Sequence, residues 1–305
     1  MIFQIDSSVM KANKDRELAK AIDMISSEGH CLDCTGEVYD YIEAKVLVNA
    51  YLGTMSIGEI KKNKEMFAPT TLKKNHCTTI WVGYGVNMLT INEVLLMLSK
   101  QSKLVLENGT YDWDTVKRWV DVLKTDRDYK SLNQAVMKSI DTHKLIGEHA
   151  GGAGGIRQRV ESLQSEYGEN VARYKVLTLF DSDKISETDA GNHNKELIAF
   201  LSEHNFLWHE LYKREMENYY SVEAYELAGL VKSTDSLTEL NSLTPQAYDY
   251  LDIEKSNHLS YTKRKMPLLA QYMNGSRLRQ RVSHHIGPNG INEIQDIILL
   301  LVKYV

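Results

Sequence analysis

The run at 174–184, YKVLTLFDSDK, is an apolar stretch rich in Val and Leu that stops at two acids, Asp181 and Asp183. On an extended chain residues i and i+2 point the same way, so this spacing predicts that both carboxylates face one metal ion while Ser182 faces away. Upstream, Lys103-Leu104-Val105-Leu106 is a second short apolar run that ends in an acid, Glu107, followed by Asn108-Gly109 and a helical pattern. A third strand-like run begins at Phe206 and is followed by Lys213, Arg214 and Glu217. Acids and a base at three strand ends form the inventory of a phosphodiester site, in which carboxylates hold divalent metal and a cation stabilises the pentavalent transition state. Taken alone, the Asp-x-Asp equally suits a helix cap or a turn.

Such residues need an open α/β sheet to bring them together, because ligands bind there at the carboxyl ends of the strands. From Ser102 the pattern is one of strands alternating with helices, the signature of βαβ units and a mostly parallel sheet. Helices are expected at 113–123 and 132–140. A short strand at 144–147 then runs into His149-Ala150-Gly151-Gly152-Ala153-Gly154-Gly155, a glycine-rich loop that opens a basic helix at 156–167 carrying Arg157 and Arg159. Backbone amides at such a helix start favour a phosphate, and glycines permit its close approach. The loop is not a Walker A motif, since no Lys-Ser or Lys-Thr follows, and GGAGG alone suits a tight turn. The segment 184–194, opening with Lys184, is polar and reads as a loop over the site. A helix at 197–203 and a strand at 206–211 follow, and beyond Val222 the chain reads as helical, with a polar stretch at 232–245.

Residues 1–100 read as mainly helical, with an amphipathic helix at 14–25, a loop at 29–36 and a second helix at 37–52. Ser56 with Glu59, and Thr90 with Glu93, resemble capping boxes. The less regular segment 66–88, with its TTIWV run, has room for a strand or two. This region carries no motif and is expected to be an accessory or oligomerisation domain. Cys31, Cys34 and Cys77 are too few for a disulfide framework. With His30 and His76 they could supply a zinc site, but the Cys-x-x-Cys lacks a second knuckle, which favours small buried thiols.

The chain has 305 residues, of which 43% are hydrophobic and 25% charged, as in ordinary globular proteins. A formal charge of -5 is not that of a typical nucleic-acid binder. Local basic patches, however, do the electrostatic work, and a carboxylate-rich site adds negative charge of its own. No apolar run reaches the length of a membrane span and the N-terminus lacks an apolar h-region, so a cytoplasmic protein with no membrane partner is expected.

The order strand-Glu107, glycine-rich segment, strand-Asp181-x-Asp183 and downstream Lys213-Arg214-Glu215-x-Glu217-Asn218-Tyr219 resembles the Toprim catalytic domain, in the form found in OLD-family nucleases and PARIS-like phage-defence subunits. The resemblance covers roughly residues 102–225. It implies that Glu107, Asp181 and Asp183 bind Mg2+ or Mn2+, that Lys213 or Arg214 is the catalytic cation, and that Glu217 is an accessory acid. The family usually places Gly directly after the glutamate and an acid soon after. This chain has Asn108 first and Asp112 later, so Asp112 is a further candidate ligand. Within a Toprim domain the glycine loop would lie beside the metal, with His149, Gly151, Gly152, Arg157 and Lys184 touching nucleic acid and His149 a candidate base.

The expected organisation is therefore a Toprim-like, Rossmannoid, mostly parallel sheet at 101–225, a mainly helical N-terminal region at 1–100 and a helical C-terminal region at 226–305. Basic residues at Lys263-Arg264-Lys265 and at Arg277, Arg279 and Arg281, followed by His284-His285, read as a solvated face that in a nuclease would contact a polyanion. The apolar helix expected at 291–305 packs into the core or against another copy of the chain. The expected activity is that of a metal-dependent endonuclease on DNA or transfer RNA, serving phage defence with a separately encoded ATPase, since OLD nucleases usually carry an ATPase domain and this chain has no Walker A motif. The alternatives are a catalytically silent Toprim subunit that binds nucleic acid or a partner, and a phosphatase-like domain.

Overall fold

The computed structural model of the chain describes residues 1–47, 77–125, 130–189, 193–287 and 290–305. The expected Ser56–Glu59 capping box, His76 and the later part of the helix expected at 37–52 lie outside the described residues. The chain is an α/β protein with two sheets whose strands run parallel, and it divides into two compact units.

The first unit comprises Met1–Ser102, Leu163–Lys175 and Val302–Val305. Its sheet is built from β1 (Ile2–Ile5), β2 (Cys31–Cys34) and β3 (Thr79–Val82) in the order β2-β1-β3. The helix Asp15–Ser27 buries Leu18, Ala19, Ile22 and Ile25, a 3.6-residue stripe that needs an apolar partner. Thr90 and Glu93 form the expected capping box on the helix Ile91–Ser99. β3 falls in the TTIWV run, but β2 replaces the loop expected at 29–36. Four residues flanked by glycines gave too short a period to read, and pairing with β1 decides their conformation. Cys31 and Cys34 are buried and form no disulfide. A separation of three along a strand directs them to opposite faces, so they do not converge as a zinc knuckle does.

The second unit comprises Lys103–Ser162 and Val176–Leu301. Its sheet is formed by β4 (Ser102–Leu106), β5 (Leu145–His149), β6 (Val176–Phe180) and β7 (Leu207–Glu210) in the order β5-β4-β6-β7. All five residues of β6 are buried, as expected of an interior strand covered on both faces, where an unbroken apolar run replaces alternation. Leu104 pairs with Leu177, and Leu179 with His209, so β4, β6 and β7 end close to one another. The helices Tyr111–Val122 and Lys130–Asp141 connect β4 to β5, and Lys195–Glu203 connects β6 to β7.

The helical residues beyond Val222 belong to this same unit as far as Leu301. The helix Met266–Gln271 packs on Tyr111–Val122, and Arg118 fixes the chain after it by donating from Nε and Nη2 to the Met273 carbonyl at 3.1 and 2.6 Å. The terminal helix Glu293–Val302 buries Ile294, Ile297, Ile298 and Leu301 in the chain's own core. Among the described residues no helix is long and apolar enough to cross a membrane.

Candidate functional site

β4 stops at Leu106 and β6 at Phe180, so Glu107 and Asp181 are each the first residue past a buried strand. There the backbone leaves the ladder and its amides need other partners. The Asp181 N–H donates to Glu107 Oε1 at 3.0 Å, which ties the two strand ends together through a carboxylate. Asp112, in the first turn of the helix Tyr111–Val122, accepts the Asn108 N–H on Oδ2 at 2.8 Å. That bond from Asn108 brings Asp112 back over the strand end. Glu217 lies in a short 3-10 turn, Met216–Tyr219, and the Met216 N–H at its start donates to Asp181 Oδ1 at 3.0 Å.

These bonds gather Glu107, Asp112, Asp181 and Glu217, and in their midst lies Lys263. Its ammonium is 3.3 Å from Glu217 Oε1, 3.4 Å from Asp112 Oδ1 and 3.8 Å from Asp181 Oδ2. Tyr261 donates its hydroxyl to Glu217 Oε1 at 3.2 Å. One oxygen in the cluster, Glu217 Oε2, is buried with no hydrogen-bond partner, and Asp112 Oδ1 has only the Lys263 ammonium at 3.4 Å. Such orphaned acceptors are uncommon, because each forfeits its hydration without replacement.

Electrostatics follow from this crowding. Burial raises the Asp181 carboxyl well above its ordinary range, and the charges of Glu107, Glu217 and Asp112 add to the effect against the pull of Lys263. Burial also pushes Glu107 up to about 7, with Asp183 and Asp112 contributing. Asp112 and Glu217 are raised for the same primary reason. Burial alone would lower the Lys263 ammonium, but Asp181, Glu217, Asp112 and Glu107 outweigh it and hold the lysine firmly charged. Four acids share one cation, so the cluster has a surplus of negative charge once ionised.

Asp183 does not follow the i, i+2 expectation. β6 ends at Phe180, and Asp183 has a left-handed φ of 54° and is exposed. The alternation argument lapses where the strand does; the backbone N–H groups of Ser182 and Asp183 both turn onto the Arg214 carbonyl, at 3.1 and 3.0 Å. Asp183 still reaches Glu107 electrostatically.

Lys213 and Arg214 also differ from expectation. The Lys213 side chain is fully buried and forms an ion pair with Asp249 Oδ1, while Arg214 pairs with Asp252 at 3.1 Å. Asp249 is itself buried and receives Lys213 and Arg281 on Oδ1, and His284 and His285 on Oδ2. Burial would raise its carboxyl, but the His285 hydrogen bond and the Lys213 and Arg281 charges hold it well below the ordinary range. Asp249, His284 and His285 place three ligand-type atoms within 4.8 Å of one another, the described group closest in spacing to a metal site. However, four donors on two oxygens already saturate that carboxylate's lone pairs.

The glycine loop lies at the same sheet edge. The Ala150 N–H donates to the Leu106 carbonyl and the Gly152 N–H to that of Glu107, at 2.9 and 3.0 Å. Gly151 and Gly152 have φ of 82° and 103°, which side-chain-bearing residues rarely adopt. His149 Nδ1 accepts the N–H groups of Gly109 and Gly151 at 3.1 and 3.4 Å, which ties two turns together. Gly109 approaches so closely that a Cβ there would lie 2.5 Å from the His149 nitrogen. Arg157 pairs with Glu161 at 2.9 Å on an exposed helix face, and Lys184 lies 3.7 Å from Glu210.

Sequence reasoning missed Lys263 and Tyr261. The KRK run resembles a solvated basic face, and only a surplus of acids at the strand ends signals that one of its lysines must turn inward. Compared with known proteins, the chain matches no family model, no curated protein and no solved structure.

Proposed function

We propose that this protein is a divalent-metal-dependent phosphodiesterase whose centre is Glu107, Asp112, Asp181 and Glu217. The observation that carries this reading is the buried, unpartnered oxygen Glu217 Oε2 inside a cluster of four acids that share a single ammonium. Oxygen-only donors suit a hard cation such as Mg2+ or Mn2+, and Mg2+ needs only one or two protein carboxylates because it keeps several waters.

Bound there, the metal would neutralise charge on a scissile phosphate and lower the pKa of a coordinated water. The chain's own residues do the positioning. Met216 N–H holds Asp181 by Oδ1 and leaves Oδ2 toward the centre, and Asn108 N–H holds Asp112 by Oδ2 and leaves Oδ1. Tyr261 fixes Glu217 through Oε1, which leaves Oε2 as a ligand. In the metal-free chain the cation at this centre is Lys263, while Lys213 and Arg214 pair with Asp249 and Asp252.

The Toprim resemblance extends the reading to a nuclease acting on DNA or transfer RNA, with an ATPase partner in phage defence. The glycine loop, Arg157 and Lys184 offer amides and charge for a nucleic-acid backbone beside the acids. Purified protein incubated with plasmid DNA and with total transfer RNA, with Mg2+, Mn2+ or chelator, tests this directly. Cleavage that requires metal and is lost in Asp181→Asn supports the nuclease and names its polymer. Metal binding without cleavage of either polymer, or of a small phosphodiester, would instead favour the silent binding subunit, for which Lys263 would be a permanent structural counter-ion.

A further inference from the structure

We infer that Lys263 is a resident counter-ion which a divalent cation must displace from the acid cluster, so that metal loading and the position of this lysine exclude one another. The inference rests on the metal-dependent reading and specifies how that site is controlled. The ammonium lies between 3.3 and 3.8 Å from oxygens of Glu217, Asp112 and Asp181, three of the four acids proposed as ligands. A doubly charged ion among those same oxygens would stand within about 4 Å of the ammonium, where like charges in a poorly hydrated site repel strongly. Both ions also compete for the same lone pairs.

The lysine is built to leave. Its side chain keeps 25% exposure, against 11%, 3% and 1% for those of Asp181, Asp112 and Glu217, so the lysine is less enclosed than the three acids it touches. Its anchor is in the backbone: the Lys263 N–H donates to Glu254 Oε1 at 3.0 Å, at the start of the short 3-10 turn Lys263–Lys265. Four flexible methylenes then let the ammonium swing while the chain stays in place. Glu217 Oε2, buried with no hydrogen-bond partner, shows that the ammonium satisfies the cluster incompletely. Three donors cannot serve four carboxylates, whereas a divalent ion with its waters can.

The test is Mn2+ titration by calorimetry on the full chain, comparing wild type with Lys263→Met, Lys263→Arg and Asp181→Asn. Lys263→Met should bind Mn2+ about ten- to a hundred-fold more tightly than wild type, because a competing charge has been removed. Lys263→Arg should stay near wild type, and Asp181→Asn should bind more weakly. Equal or weaker binding by Lys263→Met beside a functional wild-type site overturns the displacement and leaves the metal site standing. No Mn2+ binding by wild type or by Lys263→Met overturns the metal-dependent reading, and the displacement with it. A measurement on wild type alone guards against a variant that fails to fold. In 15N-lysine NMR the Lys263 ammonium, shielded among carboxylates, should give a slowly exchanging signal that Mg2+ abolishes. A signal that persists at saturating Mg2+ overturns the proposal.

Discussion

Two charged centres in the same unit are inverses of each other. Around Lys263 one cation serves Glu107, Asp112, Asp181 and Glu217, whereas around Asp249 one anion receives Lys213, Arg281, His284 and His285. The second centre is satisfied, since two carboxylate oxygens hold four lone pairs and meet four donors. The first is unsatisfied, with a surplus of acids and a buried Glu217 oxygen that finds no donor. Buried charge in a saturated network serves structure. Buried charge left over has a cost that folding alone does not repay, and such leftovers mark functional sites.

This contrast can be broken by substitution. Asp181→Asn keeps the Oδ1 that accepts the Met216 N–H while removing the charge, so metal-dependent cleavage should fall by about 10³-fold or more with the melting temperature retained or raised. A variant that cleaves at the wild-type rate would remove Asp181 from the site. Asp249→Ala should do the reverse and act first on the fold. It strands Lys213 and Arg281 without their anion and is expected to cost about 3–5 kcal/mol in urea unfolding. A loss under about 1 kcal/mol would show that the hub is not structural.

Glu217→Gln should stabilise the metal-free protein by about 1–2 kcal/mol at pH 8, because it deletes one of the crowded charges and still accepts from Tyr261. The same sign governs pH. Glu107 has its pKa raised to about 7 in the folded state, so the fold binds protons more tightly than the unfolded chain does. Metal-free stability should therefore fall as pH rises from about 4.5 to about 7, then level off as this group finishes ionising. Saturating Mg2+ should flatten that slope, and a slope unchanged by Mg2+ would separate Glu107 from the metal. The smallest effect is expected at Arg157, whose pairing with Glu161 is exposed and whose guanidinium lies 4.7 Å from the Phe200 ring centre: Arg157→Ala should cost less than about 1 kcal/mol.

The satisfied and unsatisfied centres were unequally legible in the sequence. β4, β6 and β7 announce themselves as apolar runs, and the acids that end them fix two corners of the site. Asp112 could be suspected only through the resemblance to Toprim domains, because it lies five residues and a turn beyond Glu107 and no strand periodicity points it inward. The Asp181-x-Asp183 spacing promised two inward carboxylates, but that promise holds only while the chain stays extended, and the left-handed Asp183 ends it. Lys263 and Asp249 were hidden for a different reason. Each is placed by contacts far along the chain, and no local period distinguishes an inward-turned lysine from its solvated neighbours Arg264 and Lys265. In the N-terminal unit, β2 was missed because its four residues are too few to show alternation.

The wide separation of these partners along the chain also bears on how the protein is made. Glu107, Asp112, Asp181 and Glu217 leave the ribosome before the lysine that neutralises them, and Lys213 leaves before its partner Asp249. The Arg214 N–H waits for the Asp249 carbonyl, and Glu215 waits for the Ile253 N–H. During synthesis the parallel sheet therefore carries unbalanced charge at the edge where these acids lie until the helical residues beyond 245 have emerged.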